Sequence, residues 1–432
     1  MTQDTTPVPS FDKLGIAPEL LAVLNKLSFT SPTPIQHQCI PTALEGKDIV
    51  GIAQTGTGKT LAFGLPMIQL LGKNKGQGLI LLPTRELALQ VNDVIQKIGS
   101  HFGLRTAVLI GGASSHQQIQ AMRKNPHILI STPGRLIAHL QEKNLSLSRI
   151  TMIVLDEADR MFDIGFAPQI KQILNYAPKT RQTLMFSATM PAPIAEIAGR
   201  YMKTPLRIEV APAGTTAAKI QQEIFIASKD VRTQLLEKLL ADNTGTVLIF
   251  SRTKYGAKKI AAVVRAMGHT ANEIHSNRSL PQRQAALAGF KNGTYRVLVA
   301  TDIAARGIDV TGISLVINYD LPDNPDDYVH RIGRTARAGT TGKAVSFVGP
   351  EERMELKQIE RLIKKSLQVT PLPTLPPRRT IAPPARGPRF TPPQKNKRPA
   401  FGGGESRNTP NRRSGNTGGR NNFSRRNASR SR

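Results

Sequence analysis

Eight residues, Ala53-Gln54-Thr55-Gly56-Thr57-Gly58-Lys59-Thr60, have the composition of a phosphate cradle. Gly56 and Gly58 let the backbone close tightly and aim amides at phosphate oxygens. Lys59 reaches the β- and γ-phosphates, and the Thr60 hydroxyl can hold Mg²⁺. The strict pattern opens with glycine where this chain has Ala53; the rest of the spacing is intact. Further along, Asp156-Glu157-Ala158-Asp159 follow the apolar run TMIVL at 151–155. Carboxylates at the carboxyl end of a strand stand where a doubly wound sheet puts its ligand. There Asp156 would hold the metal, partly through water, and Glu157 would orient and deprotonate the attacking water. Each stretch has a bland reading, a chance glycine-rich turn or an acidic helix start. Their joint occurrence points to an NTPase. Upstream, Gln36 closes the run PTPIQ at 32–36. Its amide donates and accepts at once, matching N6 and N7 of adenine, and Phe11 could stack on the ring.

The elements that must position these groups are legible as short apolar runs. TAVLI at 106–110, HILI at 127–130, TMIVL at 151–155 and TLMFS at 183–187 read as strands buried on both faces. Stretches of helical spacing follow them, as after Pro83 and from Arg135 to Leu140. Continuous apolar strands with helical crossovers predict a doubly wound parallel sheet. From about 205 to 219 the chain turns polar, with Pro and Gly, and reads as a linker. The rhythm restarts with TVLIF at 246–250, RVLVA at 296–300, LVINY at 315–319 and AVSFV at 344–348. The expected organisation is therefore α/β throughout, in two tandem domains: 1–207, a linker at 208–219, and 220–370. A tail occupies 371–432.

The chain of 432 residues carries 59 Lys+Arg against 30 Asp+Glu, a net +29. Such a balance favours a polyanion partner. The charge is concentrated: residues 371–432 hold 15 basic residues and one acid, Glu405, so a net +14 sits on the tail. Rich in Pro, Gly, Asn and Ser, the tail cannot bury enough apolar surface to offset ordering entropy and is expected to be disordered. Phe390, Phe401 and Phe423 among its arginines suit stacking on bases. One cysteine, Cys39, excludes an intrachain disulfide framework and reads as a small buried apolar residue. The first ten residues lack a signal peptide's pattern, and no apolar run is long enough for a membrane span. A cytoplasmic protein without membrane attachment is expected.

Taken together with the motifs below, these residues resemble the DEAD-box RNA helicases, from about Phe11 to Leu367. The Arg-rich tail is similar to that of the bacterial RhlE-type branch. The resemblance implies two RecA-like domains, with ATP and Mg²⁺ as cofactors. Phe11, Thr33 and Gln36 would read adenine as the Q motif, although Ser28 stands where the family usually has Gly. The cradle 53–60 would bind the triphosphate. Pro83, Thr84, Arg85, Gly112, Thr132, Pro133, Gly134 and Arg135 would line one RNA strand, supplying hydroxyls, cations and close backbone approach. Ser187 and Thr189, of the Ser187-Ala188-Thr189 turn, would link nucleotide state to strand separation together with Asp159 and His330. From the second domain, Arg252, Thr301 and Arg306 would face RNA and Asp309 would meet the ribose. Arg334 and Arg337, three apart on a helical turn, would be the arginine fingers. Many relatives carry Gln where Leu280 stands and Gly where Ser276 stands; Arg283 is kept.

The expected activity is RNA-stimulated ATP hydrolysis that closes the two domains and locally unwinds short duplexes, with little sequence specificity. Single-stranded RNA and short duplexes are the expected partners, with ribosomal precursors or RNA-decay complexes and cold adaptation all consistent with the family. Two rivals remain: a DNA helicase or translocase, and an RNA-annealing scaffold driven by the tail.

Overall fold

The computed structural model describes residues 10–54, 56–73, 76–210, 220–305, 310, 312–336 and 342–378. Thr55, Arg306, Asp309, Arg337, linker residues 211–219 and the tail from 379 lie outside the described residues.

Two parallel sheets form, as the apolar runs predict. The first holds β1 (Ile49–Ile52), β2 (Gln77–Leu81), β3 (Thr106–Leu109), β4 (Ile128–Ser131), β5 (Ile150–Leu155), β6 (Gln182–Ser187) and β7 (Leu206–Glu209). Its order is β3-β4-β2-β5-β6-β1-β7. The second holds β8 (Ile220–Ile226), β9 (Val247–Phe250), β10 (Ala271–Ile274), β11 (Val297–Ala300), β12 (Leu315–Asn318) and β13 (Gly342–Val348), in the order β10-β11-β9-β12-β13-β8. Side chains alternate between the two faces of each sheet. Leu79 and Leu81 enter one core of the first lobe while Ile80 enters the other. In β9, Val247 and Ile249 enter one core of the second lobe, and Leu248 and Phe250 the opposite one. Helices cover both faces, so strands with no polar side have nowhere else to go.

Two expectations are corrected. The stretch from 205 is not all linker: Leu206–Glu209 is an edge strand, with Leu206 opposite Ile49 in parallel register. Only Ile208 of its four residues is buried, so the strand has little apolar signal in the sequence. Nor does the tail begin at 371. The Thr370 amide donates to Ile224 O at 2.7 Å, and Ile224 N–H donates to Gln368 O. Leu375 packs on a core of the second lobe, and Gln234 donates to Pro376 O at 2.6 Å. The start of the Pro-rich segment is thereby laid over the otherwise open β8 edge.

Candidate nucleotide and nucleic-acid sites

The order of the first sheet divides the motifs. The loops after β5, β6 and β1, neighbouring strands, carry the Asp156 segment, the Ser187 turn and the phosphate cradle. Those after β3, β4 and β2, also neighbours, carry Gly111–Gly112, Thr132–Arg135 and Pro83–Arg85. One carboxyl edge thus presents two adjacent sites.

In the cradle, Gly56 and Gly58 take φ of +89° and +88°. A Cβ at Gly58 would collide with the Gln36 amide, so glycine is needed for space as well as for backbone. The Lys59 ammonium is buried and donates to Ala53 O at 3.0 Å, and the Thr57 hydroxyl donates to Gln54 O at 2.7 Å. The Gln36 amide donates to Gly58 O at 2.9 Å while its oxygen accepts from the Thr33 N–H at 2.9 Å. Gln36 therefore ties the start of helix Pro34–Leu44 to the cradle, and keeps one N–H and one lone pair for a ligand. Phe11 is only 4% exposed and sits in the first lobe's core. Ser28 adopts φ +63°, a left-handed backbone that glycine takes freely and that a serine holds at a conformational cost.

Asp156 and Glu157 are both buried. Burial pushes the Asp156 carboxyl up to about 6, with Lys59 pulling the other way and Glu157 adding to the rise. Glu157 N–H donates to Asp156 Oδ1 at 3.0 Å, and Glu157 itself sits at φ +52°, a left-handed backbone for a non-glycine residue. Such strain clusters where geometry matters for function. A carboxylate held at this cost, with the half-buried Thr60 hydroxyl available in the first turn of helix Lys59–Lys73, suits a hard divalent cation. Asp159 is the hub between loops. Its Oδ2 accepts from the amides of Ala188 and Thr189, both at 2.9 Å, and from the Thr189 hydroxyl at 3.2 Å. The Ser187 hydroxyl in turn accepts from the Asp159 N–H at 3.2 Å.

On the adjacent site, Thr84 and Thr132 are the N-caps of helices Arg85–Gly99 and Pro133–Gln141, and the Thr84 hydroxyl accepts from Leu87 N–H. The Arg85 guanidinium lies over Gly111 and Gly112, where a Cβ would meet it. Gln118, which sequence reasoning missed, is buried and organises this edge. It donates to Ile110 O and accepts from Arg135 Nε at 3.1 Å. No sequence signal marks it.

In the second lobe, Thr301 follows β11 and its amide donates to Ile274 O. Arg252, expected to face RNA, pairs with Asp323 at 3.1 Å and Glu352 at 3.2 Å. His330 and Arg334 lie at one small cleft with Arg160 and Asp327, and Arg334 Nε donates to His330 O. Arg331 is structural: it is buried, pairs in bidentate fashion with Asp302 at 2.5 and 2.7 Å, and lies over the Phe250 ring.

Among the described residues, the contacts between the lobes include three that pattern alone does not announce. Arg160 pairs with Asp327 at 2.9 Å and Arg283 with Glu86 at 2.8 Å, both largely buried. Leu280 is 8% exposed and joins the core cluster of the first lobe although it belongs to the second. Ser276 is exposed and needs no left-handed backbone.

Two RecA-like lobes with a phosphate cradle, a paired-carboxylate loop and a second lobe against that loop define the helicase class of NTPases. Comparison with known proteins narrows this. The DEAD/DEAH box helicase family matches residues 33–197, and the helicase conserved C-terminal domain matches 231–339. The DEAD-box ATP-dependent RNA helicase CshA of Bacillus cereus is 43% identical over 369 residues, 85% of this chain and 70% of that one. CshA of Bacillus subtilis is 40% identical over 85% and 75% of the two chains. Among solved structures, S. cerevisiae Dbp5 bound to RNA and ADP BeF3 is 30% identical, with TM-score 0.75, covering 84% of this chain and 96% of that one. Mss116p bound to ssRNA and AMP-PNP is 26% identical, with TM-score 0.78, over 86% and 80%. The chain belongs to the DEAD-box ATP-dependent RNA helicases, which are ATP-hydrolysing enzymes.

Proposed function

We propose that this chain couples ATP hydrolysis to closure of its lobes on RNA, separating short duplexes locally with little sequence specificity. The observation that best supports the reading is the Asp159 hub, which joins the carboxylate loop to the Ser187–Thr189 turn in one hydrogen-bonded unit. A change at the γ-phosphate then has a direct path to the next strand. Lys59 would bind the phosphates and Glu157 would take the proton of the attacking water. Thr60 and Asp156 would hold Mg²⁺, which when bound neutralises phosphate charge. Gln36 would read adenine with its remaining donor and acceptor. Arg334, with Arg337 and Asp309, would complete the site from the second lobe. RNA would lie along Thr84, Arg85, Gly112, Thr132 and Arg135, then Thr301 and Arg306. Arg252 would join them by leaving its carboxylate partners.

We assign the first lobe through β7, the linker to 210–219 and the second lobe to 220–378. The remaining basic segment would bind RNA, and its arginines favour the RhlE-type branch. The substrates would be ribosomal or decaying RNAs in the cytoplasm, with cold adaptation a compatible role. Among the described residues no helix is long and apolar enough to cross a membrane.

The test is ATP hydrolysis by the full chain alone, with RNA, and with DNA of the same sequence. Strong stimulation by RNA alone is expected. Equal stimulation by DNA would favour a translocase, and no stimulation would favour an annealing scaffold.

A further inference from the structure

Tyr255 is the most exposed large apolar side chain among the described residues, at 71%. It lies in the first turn of helix Lys254–Ala266, directly after β9 and its N-cap Thr253. The Lys254 ammonium stands 5.3 Å from the ring centroid and covers one face, leaving the other to solvent. Lys258 and Lys259, three and four residues on, are exposed on the same side of the helix, and Arg252 and Thr253 are exposed just before it. The helix contains four basic residues and no acid. The next acid along the chain, Glu273, is buried and paired with Arg265 and Arg278. The face is therefore an exposed aromatic ring set among Lys254, Lys258 and Lys259, beside an Arg252 that is paired with Asp323 and Glu352, at the carboxyl edge of the strand beside β11 and Thr301.

An exposed ring flanked by lysines matches one polyanion better than others. Duplex hides its base faces in the stack, whereas a single strand offers both a π-face and flanking phosphates. A membrane surface would call for an apolar face broader than one ring. We propose that Tyr255 stacks on a base of single-stranded RNA where the strand crosses the second lobe, with Lys258 and Lys259 against the adjoining phosphates. This rests on the RNA reading above and adds to it a contact with a base, made without hydrogen-bond readout. The preferred substrate would then carry a single-stranded stretch beside the duplex to be opened.

The experiment uses the full chain, fluorescein-labelled single-stranded RNA, and the same RNA with 2-aminopurine along the strand, over a salt series. Tyr255→Ala should weaken binding by about 5- to 150-fold, with an unchanged slope of log affinity against log salt, because no phosphate contact is lost. It should also abolish quenching of one 2-aminopurine position, and Tyr255→Phe should restore both. The double variant Lys258→Ala, Lys259→Ala should instead flatten the slope by about 1.4. Since Tyr255 is exposed, the variants' melting temperatures should match the parent's, and affinity for blunt duplex should not respond to Tyr255→Ala. Parent-like affinity for single-stranded RNA in Tyr255→Ala would overturn the proposal, and so would failure of Phe to rescue. If RNA neither binds nor stimulates the unmodified chain, the proposed function falls first. If it does both and only the Tyr255 effects are missing, this inference alone falls.

Discussion

At the scale of single residues, the candidate nucleotide site is held in an arrangement that costs the protein stability. Asp156 is buried with Glu157 beside it, and its carboxyl is raised to about 6. A carboxyl whose folded value exceeds its unfolded one binds extra protons in the folded state between the two values. Stability therefore falls as pH rises through about 6. Asp156→Asn keeps the acceptor for the Glu157 amide and removes the charge. The ligand-free variant should be more stable than the parent near pH 8, by up to about 3 kcal/mol, with the gap closing toward pH 4. Hydrolysis should be lost. Urea melts at the two pH values check this, and an equal gap at both would refute the burial argument. The left-handed backbone of Glu157 belongs to the same pattern of geometry kept against local preference. Cys39 behaves as its sequence context suggests: it is buried, and burial pushes its thiol up to about 12, far from reactivity.

At the scale of elements, helix Leu280–Lys291 meets the first lobe through two different interactions. Arg283 reaches Glu86 of helix Arg85–Gly99, and Leu280 joins the first-lobe core. A buried ion pair gives direction but little net stability, since desolvation offsets most of the attraction. The apolar contact supplies attraction without that cost. Leu280→Gln should weaken the contact by on the order of 1–2 kcal/mol, because the amide is buried without a designed partner. Fluorescence energy transfer between labels on the two lobes should show the ligand-free variant more open than the parent. Indistinguishable transfer would mean that Leu280 contributes no lobe contact. Element boundaries also show what local patterns miss. β7 has one buried side chain and β10 carries Asn272 and Glu273 in succession, so neither produces a continuous apolar run.

At the scale of the whole molecule, the concentrated charge and the sequence motifs are separated along the chain. The motifs lie between Phe11 and Arg337, while a net +14 sits in residues 371–432. Deleting residues 379–432 leaves the strap over β8 intact. RNA affinity should drop, and the slope of log affinity against log salt should become shallower, since fewer phosphates are neutralised. RNA-stimulated hydrolysis at saturating RNA should persist. Loss of stimulated turnover in that deletion would show that the tail is part of the catalytic cycle.

The sequence by itself determined the fold class, because strands buried on both faces must be continuous apolar runs and most runs here are. It also marked Gly56, Gly58, Lys59, Asp156 and Glu157 as the candidates for phosphate chemistry, because that proposal rests on local backbone shape and strand ends. Tertiary structure alone decided what those groups touch. Gln36 against Gly58, Asp159 against the Ser187 turn, Arg160 against Asp327, Gln118 beneath the Arg135 loop and Leu280 in the other lobe's core are all contacts between segments far apart in sequence. Periodicity records which face of an element is buried, not which element covers it, and that partner is chosen only when the sheets are assembled.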